Sequence, residues 1–301
     1  MAVPVALVAL VVLLAWPAPR LLARVTAIRR APRAALVLWQ AMTAATVLAA
    51  CAAAPSAVPW LVGDSPRLLE AWPVVGLAGL VTAVVTVRLL VSGDRVGRSL
   101  RTVRRRHREL VDLLATPRAQ GTDAGAHTRV LEHPTPTAYC LPGFRRRVVL
   151  TQGTLHRLGP DELRAVMAHE RAHLAARHDL VLEHFTVVHE AVPAFVRAPS
   201  ALHEVHLLIE VLADRAAVRR TGVVATARAI VAMADGPTPA GSLGIRETAS
   251  DAAARLALLE GGPVGGLPQG AASTLLYAVS TLLVTAPLTL LVLAFADFSP
   301  A

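Results

Sequence analysis

The sequence predicts an α-helical membrane protein with four transmembrane helices and a cytoplasmic, mainly helical α+β domain between the third and fourth. Of the 301 residues, 54% are hydrophobic and only 17% are charged, and the mean hydropathy is +0.52. A soluble domain usually carries about a quarter charged residues. The composition therefore argues against a purely soluble chain, and it excludes a disordered one. The two cysteines, Cys51 and Cys140, are too few for the disulfide framework of a small secreted protein.

Four apolar segments are long enough to cross a bilayer, which takes about 20 helical residues. They cover approximately residues 1–19, 34–54, 72–92 and 271–298. The first could instead be a signal peptide, but it lacks a basic start and a good cleavage site, which favours a retained span. The chain is thereby divided into a membrane region of residues 1–92, an aqueous domain of residues 93–270, and a last span with a short tail, residues 271–301.

The arginines predict the orientation of these spans. All 30 basic residues are Arg, and they concentrate after the first span and again between Arg95 and Arg108, just after the third. Because positively charged loops stay in the cytoplasm, we expect an external N-terminus and a cytoplasmic domain in a plasma membrane, of bacterial type from the composition. The Arg-rich stretch could also suggest nucleic acid, but its place directly after a span favours the lipid bilayer as its partner, with no direct nucleic-acid binding.

Sequence patterns in the aqueous domain predict strands first and helices afterwards. Short β-branched runs indicate strands at Arg129–Glu132, Ala138–Leu141 and Arg147–Thr151. Residues 117–128 are typical of a linker, and Gly and Pro mark breaks at residues 236–241 and 261–270. Helical periodicity indicates a helix leaving the membrane near Leu100–Leu113 and two later helices, over residues 161–178 and 201–220.

The first of these two later helices carries the segment His169-Glu170-Arg171-Ala172-His173. A spacing of four residues places both imidazoles on one helical face, about one turn apart, where they could share one tetrahedral zinc ion. Glu170 is rotated by about 100° from His169, so its carboxylate could reach a water at the metal and act as a general base. The alternative is an ordinary helix with two surface histidines and a glutamate.

A third protein ligand is expected, because catalytic zinc usually has three. Glu210 on the second later helix could complete the site, and Asp214, one turn on, could accept an imidazole N–H and fix the tautomer of a ligand. Asp214 could alternatively form a surface salt bridge with a nearby arginine. Other candidates for the third ligand are His206, Glu183, Glu190 and Glu204.

These motifs resemble known peptidases. His169-Glu-x-x-His173 followed by Glu210-x-x-Ala-Asp214 resembles the gluzincin metallopeptidases. Four spans with the zinc domain between the third and fourth resemble the M56 peptidases, the family of the β-lactam-sensing receptor proteases. The segments Ala138–Leu141 and Val148–Thr151, and Gly153-Thr-Leu before the zinc helix, are also similar to this family and its M48 relatives.

The resemblance implies a zinc endopeptidase that hydrolyses peptide bonds of a cytoplasmic or membrane protein. In this class an edge strand aligns the substrate backbone by strand addition, and the candidate strand consists of Ala138, Tyr139, Cys140 and Leu141. A residue that stabilises the oxyanion is also expected, with His203, His206 and Arg215 as the candidates.

Two departures from the M56 pattern affect this interpretation. Antibiotic-sensing members carry an external penicillin-binding domain after the last span, whereas this sequence stops at Ala301, so we expect no direct β-lactam sensing. Members often have an acidic residue just beyond the second histidine, where this chain reads Arg177-His178-Asp179. A transcriptional repressor is the candidate substrate by resemblance. The alternatives are quality control of membrane proteins, as in M48 peptidases, and a non-catalytic signalling scaffold.

Overall fold

The structure is a computed structural model, and most of the chain is helical. It describes residues 2–59, 68–117, 128–143, 146–234, 249–260 and 263–296. Of the predicted linker, residues 118–127 lie outside these described residues, as does the predicted break at residues 236–241.

The secondary structure begins with helices, continues with a small sheet, and ends with helices. The helices are α1 Ala2–Ala15, α2 Pro17–Leu22, α3 Pro32–Ala53, α4 Leu68–Leu114, α5 Gln152–Arg157, α6 Pro160–Ala176, α7 His178–Ala191, α8 Pro199–Thr221, α9 Val223–Met233, α10 Ala249–Ala257 and α11 Gln269–Ala296. The strands are β1 Thr116–Pro117, β2 Thr128–Leu131, β3 Ala138–Leu141 and β4 Arg147–Thr151. The three predicted strands are thus confirmed, within one residue at each end.

The described residues contain four helical stretches that are long and apolar enough to cross a membrane. They are Ala2–Leu22, Pro32–Ala57, Trp72–Leu114 and Gln269–Ala296. The first is interrupted at Trp16, because Pro17 and Pro19 restart the helix as α2. The helix that contains the third stretch continues past residue 92, where the span is predicted to end, and through the Arg-rich segment, as the helical spacing of its leucines predicted.

The chain divides into two compact units. The first comprises Met1–Asp94, Thr186–His203 and Pro263–Ala301, and the second comprises Arg95–Phe185 and Glu204–Gly262. The first unit therefore contains the apolar helices, with α4 up to Asp94, together with a segment formed by the end of α7, the turn after it and the start of α8.

Small side chains hold the helices of the first unit close together. The hydroxyl of Thr82 on α4 joins this helix to α3. It donates to the carbonyl of Ala50 (2.5 Å) and accepts from the backbone N–H of Ala54 (3.2 Å). Alanine allows helix backbones to approach closely, which strengthens packing where no hydrophobic effect acts. The shared cluster of buried residues consists of Leu7, Val11, Ala49, Ala50, Ala52, Ala53 and Ala78.

The second unit is built on a four-stranded sheet with the order β1-β2-β4-β3. The strand β4 pairs in parallel with β2 and antiparallel with β3, with Tyr139 opposite Val149. In the described sheet, β3 therefore has a strand on one side only. One face of β4 packs against α6, where Val148 and Leu150 meet Ala165, Val166 and Met167.

A close backbone contact fixes the turn between β4 and α5. The hydroxyl of Thr151 caps α5 by accepting from the backbone N–H of Thr154 (3.3 Å). Gly153 follows this cap, and its backbone N–H donates to the carbonyl of His133 (2.9 Å). A Cβ atom added at Gly153 would lie 1.9 Å from the carbonyl oxygen of Pro134. Only glycine fits at this position without a backbone shift.

We expect Gly153→Ala to lower the free energy of unfolding by about 1–3 kcal/mol, the usual cost of overpacking a well-packed site. Thermal unfolding of the detergent-solubilised protein, followed by circular dichroism, measures the change. The matched control is Gly270→Ala, because an added Cβ there meets nothing within 4 Å. Equal unfolding midpoints for the two variants would contradict the contact with Pro134.

Candidate metal centre

The helix α6 is held in place at its start and along one face. Pro160 occupies its first turn, and the backbone N–H of Gly159 donates to the carboxylate of Glu162 (2.8 Å). The acidic residues of the first turn also suit the positive end of the helix dipole. Packing of the apolar face on β4 fixes the rotation of α6 about its own axis. The two histidines lie on another face of the helix, so their directions are fixed as well.

The imidazoles of His169 and His173 face each other, as their spacing predicted. Their Nε2 atoms lie 3.0 Å apart, and the ring centroids are separated by 4.7 Å. The side chain of His173 is buried, and that of His169 is 14% exposed. Two nitrogens from one helical face thus converge on the same point.

Glu210 of α8 supplies the third group at this point. One carboxylate oxygen lies 3.3 Å from Nε2 of His169, and the other lies 3.5 Å from Nε2 of His173. The donor atoms of the three residues all lie within 4.8 Å of one another. The structure therefore brings together the three residues that the sequence predicted as metal ligands.

Asp214 lies one turn beyond Glu210 and contacts the far side of His169. Its Oδ1 is 2.9 Å from Nδ1 of His169, and its side chain is only 1% exposed. When His169 is neutral, as a metal ligand must be, and its Nδ1 proton is donated to this carboxylate, the lone pair of Nε2 is directed towards Glu210 and His173. A carboxylate in this place orients a metal-ligating histidine and makes it more basic.

Sequence reasoning missed Arg255, which supports both carboxylates from α10. Its Nε and Nη2 atoms each donate to Asp214 (both 2.7 Å), and Nη1 lies 3.5 Å from Glu210. The alternative expectation, a salt bridge between Asp214 and a nearby arginine on the helix face, does not describe this pair, because it is buried and joins α8 to α10. One signal was present, because Arg255 lies on the buried stripe that also holds Ala252 and Leu258.

In the segment Arg177-His178-Asp179, beyond the second histidine, His178 is the residue that contacts His173. Arg177 adopts a left-handed backbone conformation (φ 53°), which ends α6 and lets α7 start at His178. The Nδ1 atoms of His178 and His173 lie 2.9 Å apart. When Nδ1 of His173 donates in this pair, its Nε2 lone pair faces the centre. An imidazole therefore supports His173 much as Asp214 supports His169.

Glu170 lies beside the predicted substrate strand. Its side chain is largely buried and forms a hydrogen bond with the thiol of Cys140 in β3. The neighbouring Tyr139 contacts α4 instead, and its hydroxyl lies 2.8 Å from Nε2 of His107. The side chains of β3 thus alternate between the centre and α4. Cys140 is thus the strand residue that joins β3 to Glu170.

Burial and charge set the protonation of these groups. Burial raises the pKa of Glu170, which suits a base that must hold and release a proton, and it lowers the pKa of His173 to about 3. Burial alone would lower the pKa of His169, but its hydrogen bonds to Asp214 and Glu210 raise it to about 10. Burial also disfavours ionised Asp214, but Arg255 holds the pKa of that carboxyl below its usual value. The two carboxylates therefore favour positive charge at the centre.

The other candidates occupy different positions. Glu183 pairs with Arg104 (3.1 Å), Glu190 pairs with Arg197 (2.9 Å), and Glu204 is buried. His206 is half-buried and His203 is exposed. The positions of these two histidines and of Arg215 do not identify which residue would stabilise the oxyanion. Among the described residues, the cluster that could hold a metal is that of His169, His173 and Glu210.

The donor set fits zinc. Two imidazole nitrogens and a carboxylate oxygen match the usual protein ligands of catalytic zinc. Tetrahedral bonds of about 2.0–2.1 Å would separate neighbouring donors by roughly 3.3 Å. The two Nε2 atoms lie 3.0 Å apart, and each lies within 3.5 Å of a carboxylate oxygen of Glu210, a different oxygen for each ring.

We expect Asp214→Asn to weaken zinc binding by about 10–100-fold, the usual effect of removing a partner of a metal-ligating histidine. The amide cannot hold the Nδ1 proton of His169 as a carboxylate does, so the orientation of the ring is lost. Competition with a chromophoric chelator measures the affinity of the purified protein. Asp161→Asn is the control, because Asp161 lies in an exposed pair with Arg164. Unchanged affinity in Asp214→Asn would contradict the assigned role.

Comparison with known proteins relates this centre to a family. The sequence model of Peptidase family M48 matches residues 101–256, more than half of the chain, and the matched range contains every group described above except those of the apolar helices. Comparisons with curated proteins and with solved structures find no match. The finding supports the M48 side of the resemblance, and it does not confirm membership of M56. Peptidases of this family are metal-dependent and typically use zinc. The chain therefore belongs to peptidase family M48.

Proposed function

We propose that this protein is a membrane-bound zinc endopeptidase. Its zinc ligands would be His169, His173 and Glu210, with Glu170 as the general base. The observation that carries the proposal is the convergence of one donor atom from each of the three residues within 4.8 Å of one another, each histidine being held by a partner at its other nitrogen. A non-catalytic scaffold would need neither this arrangement nor a buried Glu170.

Each residue of the centre has a part in peptide hydrolysis. The chemistry that a bound zinc supplies is Lewis-acid polarisation of a carbonyl and of water. The carboxylate of Glu170 accepts the proton of the attacking water and passes it to the leaving amine. Asp214, Arg255 and His178 orient the imidazoles, which reduces the reorganisation needed during the reaction. The free edge of β3 would align the substrate backbone beside Glu170 by strand addition.

We expect Glu170→Gln to lower the rate of peptide hydrolysis by about 10²–10⁴-fold, the usual contribution of a general base. The amide keeps the size of the side chain but cannot accept the proton. Purified wild-type and variant proteins in detergent would be assayed on an unfolded protein substrate, with zinc content measured in the same samples.

The zinc content and a matched control variant decide how the hydrolysis rates are interpreted. Zinc content should be equal in the two proteins, because Glu170 is not proposed as a ligand. Glu109→Gln is the matched control, since Glu109 is exposed on α4 and should leave hydrolysis unchanged. Full activity in Glu170→Gln would overturn the proposed mechanism, and zinc without hydrolysis in the wild type would favour the scaffold.

The family match favours removal of damaged membrane proteins as the cellular role. Cleavage of a transcriptional repressor, as in M56 peptidases, is the second candidate, because the sequence has four spans and 41 positions from His169 to Glu210. Quantitative proteomics of cells expressing wild type or Glu170→Gln separates the two. Many stabilised membrane proteins would support quality control, whereas one stabilised DNA-binding protein would support signalling.

We also propose that residues 93–270 lie in the cytoplasm between the third and fourth spans. The distribution of arginine between loops supports this orientation. Fusions truncated after Arg118 should make green fluorescent protein fluoresce and leave alkaline phosphatase inactive, because the fusion point stays inside. Fusions truncated after Pro66, in the predicted outer loop, should give the reverse. Active phosphatase after Arg118 would overturn the orientation.

A further inference from the structure

The turn between α7 and α8 exposes an apolar tip with no role in the proposed centre. The tip consists of residues 192–196, with the sequence Val-Pro-Ala-Phe-Val. Phe195 is 82% exposed, the highest value among the exposed large hydrophobic side chains. The tip belongs to the same compact unit as the apolar helices, whereas most of α7 and α8 belongs to the other unit.

Hydrogen bonds place this tip alongside the end of the third predicted span. The hydroxyl of Ser92 donates to the carbonyl of Val187 (2.7 Å), and Nε of Arg88 donates to the carbonyl of Ala191. Arg88 precedes Ser92 by four residues on α4, whereas its partner Ala191 follows Val187 by four residues on α7. The two helices therefore run antiparallel. Because four residues rise by about 6 Å, Ala191 lies about 6 Å inside a span that ends at Ser92. The tip follows Ala191 directly.

Arginine side chains donate to several backbone carbonyls at the two ends of the tip. Arg197 donates to the carbonyls of Val192 (3.1 Å) and Glu190 (3.2 Å), and it also pairs with the Glu190 carboxylate (2.9 Å). Arg20 donates to the carbonyl of Arg197 (2.8 Å). Irregular backbone is tolerated at membrane depth only where its polar groups find partners.

The same contacts mark the level of the membrane surface. Arg20 follows the first predicted span, and its other guanidinium nitrogen donates to the carbonyl of Trp16 (2.6 Å). Trp16 is 53% exposed, and tryptophan and arginine are typical of the interface between lipid and water. The tip is thus bounded by the pair of Trp16, which precedes α2, and Arg20 of α2, and by Arg88 on α4.

We propose that residues 192–196 insert into the bilayer, with the ring of Phe195 among the acyl chains just below the headgroups. The proposal rests on the third span ending near Ser92 and is independent of proteolysis. Lipid is the occupant favoured by the antiparallel register with a span and by the arginine partners of the carbonyls at the two ends of the tip.

Spin labelling in phosphatidylcholine and phosphatidylglycerol vesicles tests the insertion. Phe195→Cys would be made in a full-length protein with Cys51→Ala and Cys140→Ala, labelled with a nitroxide and reconstituted. Power saturation should show greater accessibility to oxygen than to a water-soluble nickel chelate. Leu282→Cys, 67% exposed in α11, is the lipid control, and Asp161→Cys, 73% exposed, is the water control.

Other outcomes overturn the proposal. Greater accessibility to the nickel chelate at residue 195, as expected at 161, would put the tip in water. Protection from both reagents, with dipolar broadening that disappears on dilution with unlabelled protein, would identify a second copy of the chain as the occupant. Ala194→Cys repeats the measurement with Phe195 intact, so loss of the ring cannot by itself explain the result.

Discussion

The buried carboxylate of Asp214 is the group on which the centre depends. Burying an ionised carboxylate costs several kcal/mol unless it is paired and fully hydrogen-bonded. Arg255 meets this requirement with two parallel hydrogen bonds of 2.7 Å, and His169 takes a further one. The geometry of a guanidinium matches a carboxylate in a way that lysine cannot reproduce. Correct placement of α10 is therefore a condition for correct placement of the imidazole on α6.

The parts of the structure that depend on local spacing could be predicted from the sequence. The four-residue interval of His169 and His173, and that of Glu210 and Asp214, each put two groups on one helical face. Helix α6 ends at Ala176 rather than at residue 178, because Arg177 takes a left-handed conformation. That single residue turns His178 back onto His173, and nothing in the helical periodicity signals it.

Contacts between distant segments could not be predicted in this way. Arg255 and Asp214 are 41 positions apart, and the stripe that contains Arg255 does not name its partner. Likewise, Arg88 donates to a carbonyl 103 positions away, and its place near the end of an apolar segment does not indicate this partner. Long, charged side chains reach many places on a surface. Their partners follow from the tertiary fold and not from hydrophobic periodicity.

The basic side chains in all of these contacts are arginines, since the chain contains no lysine. Arginine remains charged in a low-dielectric environment and offers five donors in a fixed plane. In this chain it is concentrated after two of the predicted spans, donates to carbonyls at the ends of an apolar turn, and pairs with the carboxylates of the candidate metal centre. At the apolar turn and at the carboxylates of the candidate metal centre, a lysine would supply one point charge where two or more acceptors must be satisfied. Whatever the origin of the bias towards arginine, the folded structure now depends on its geometry.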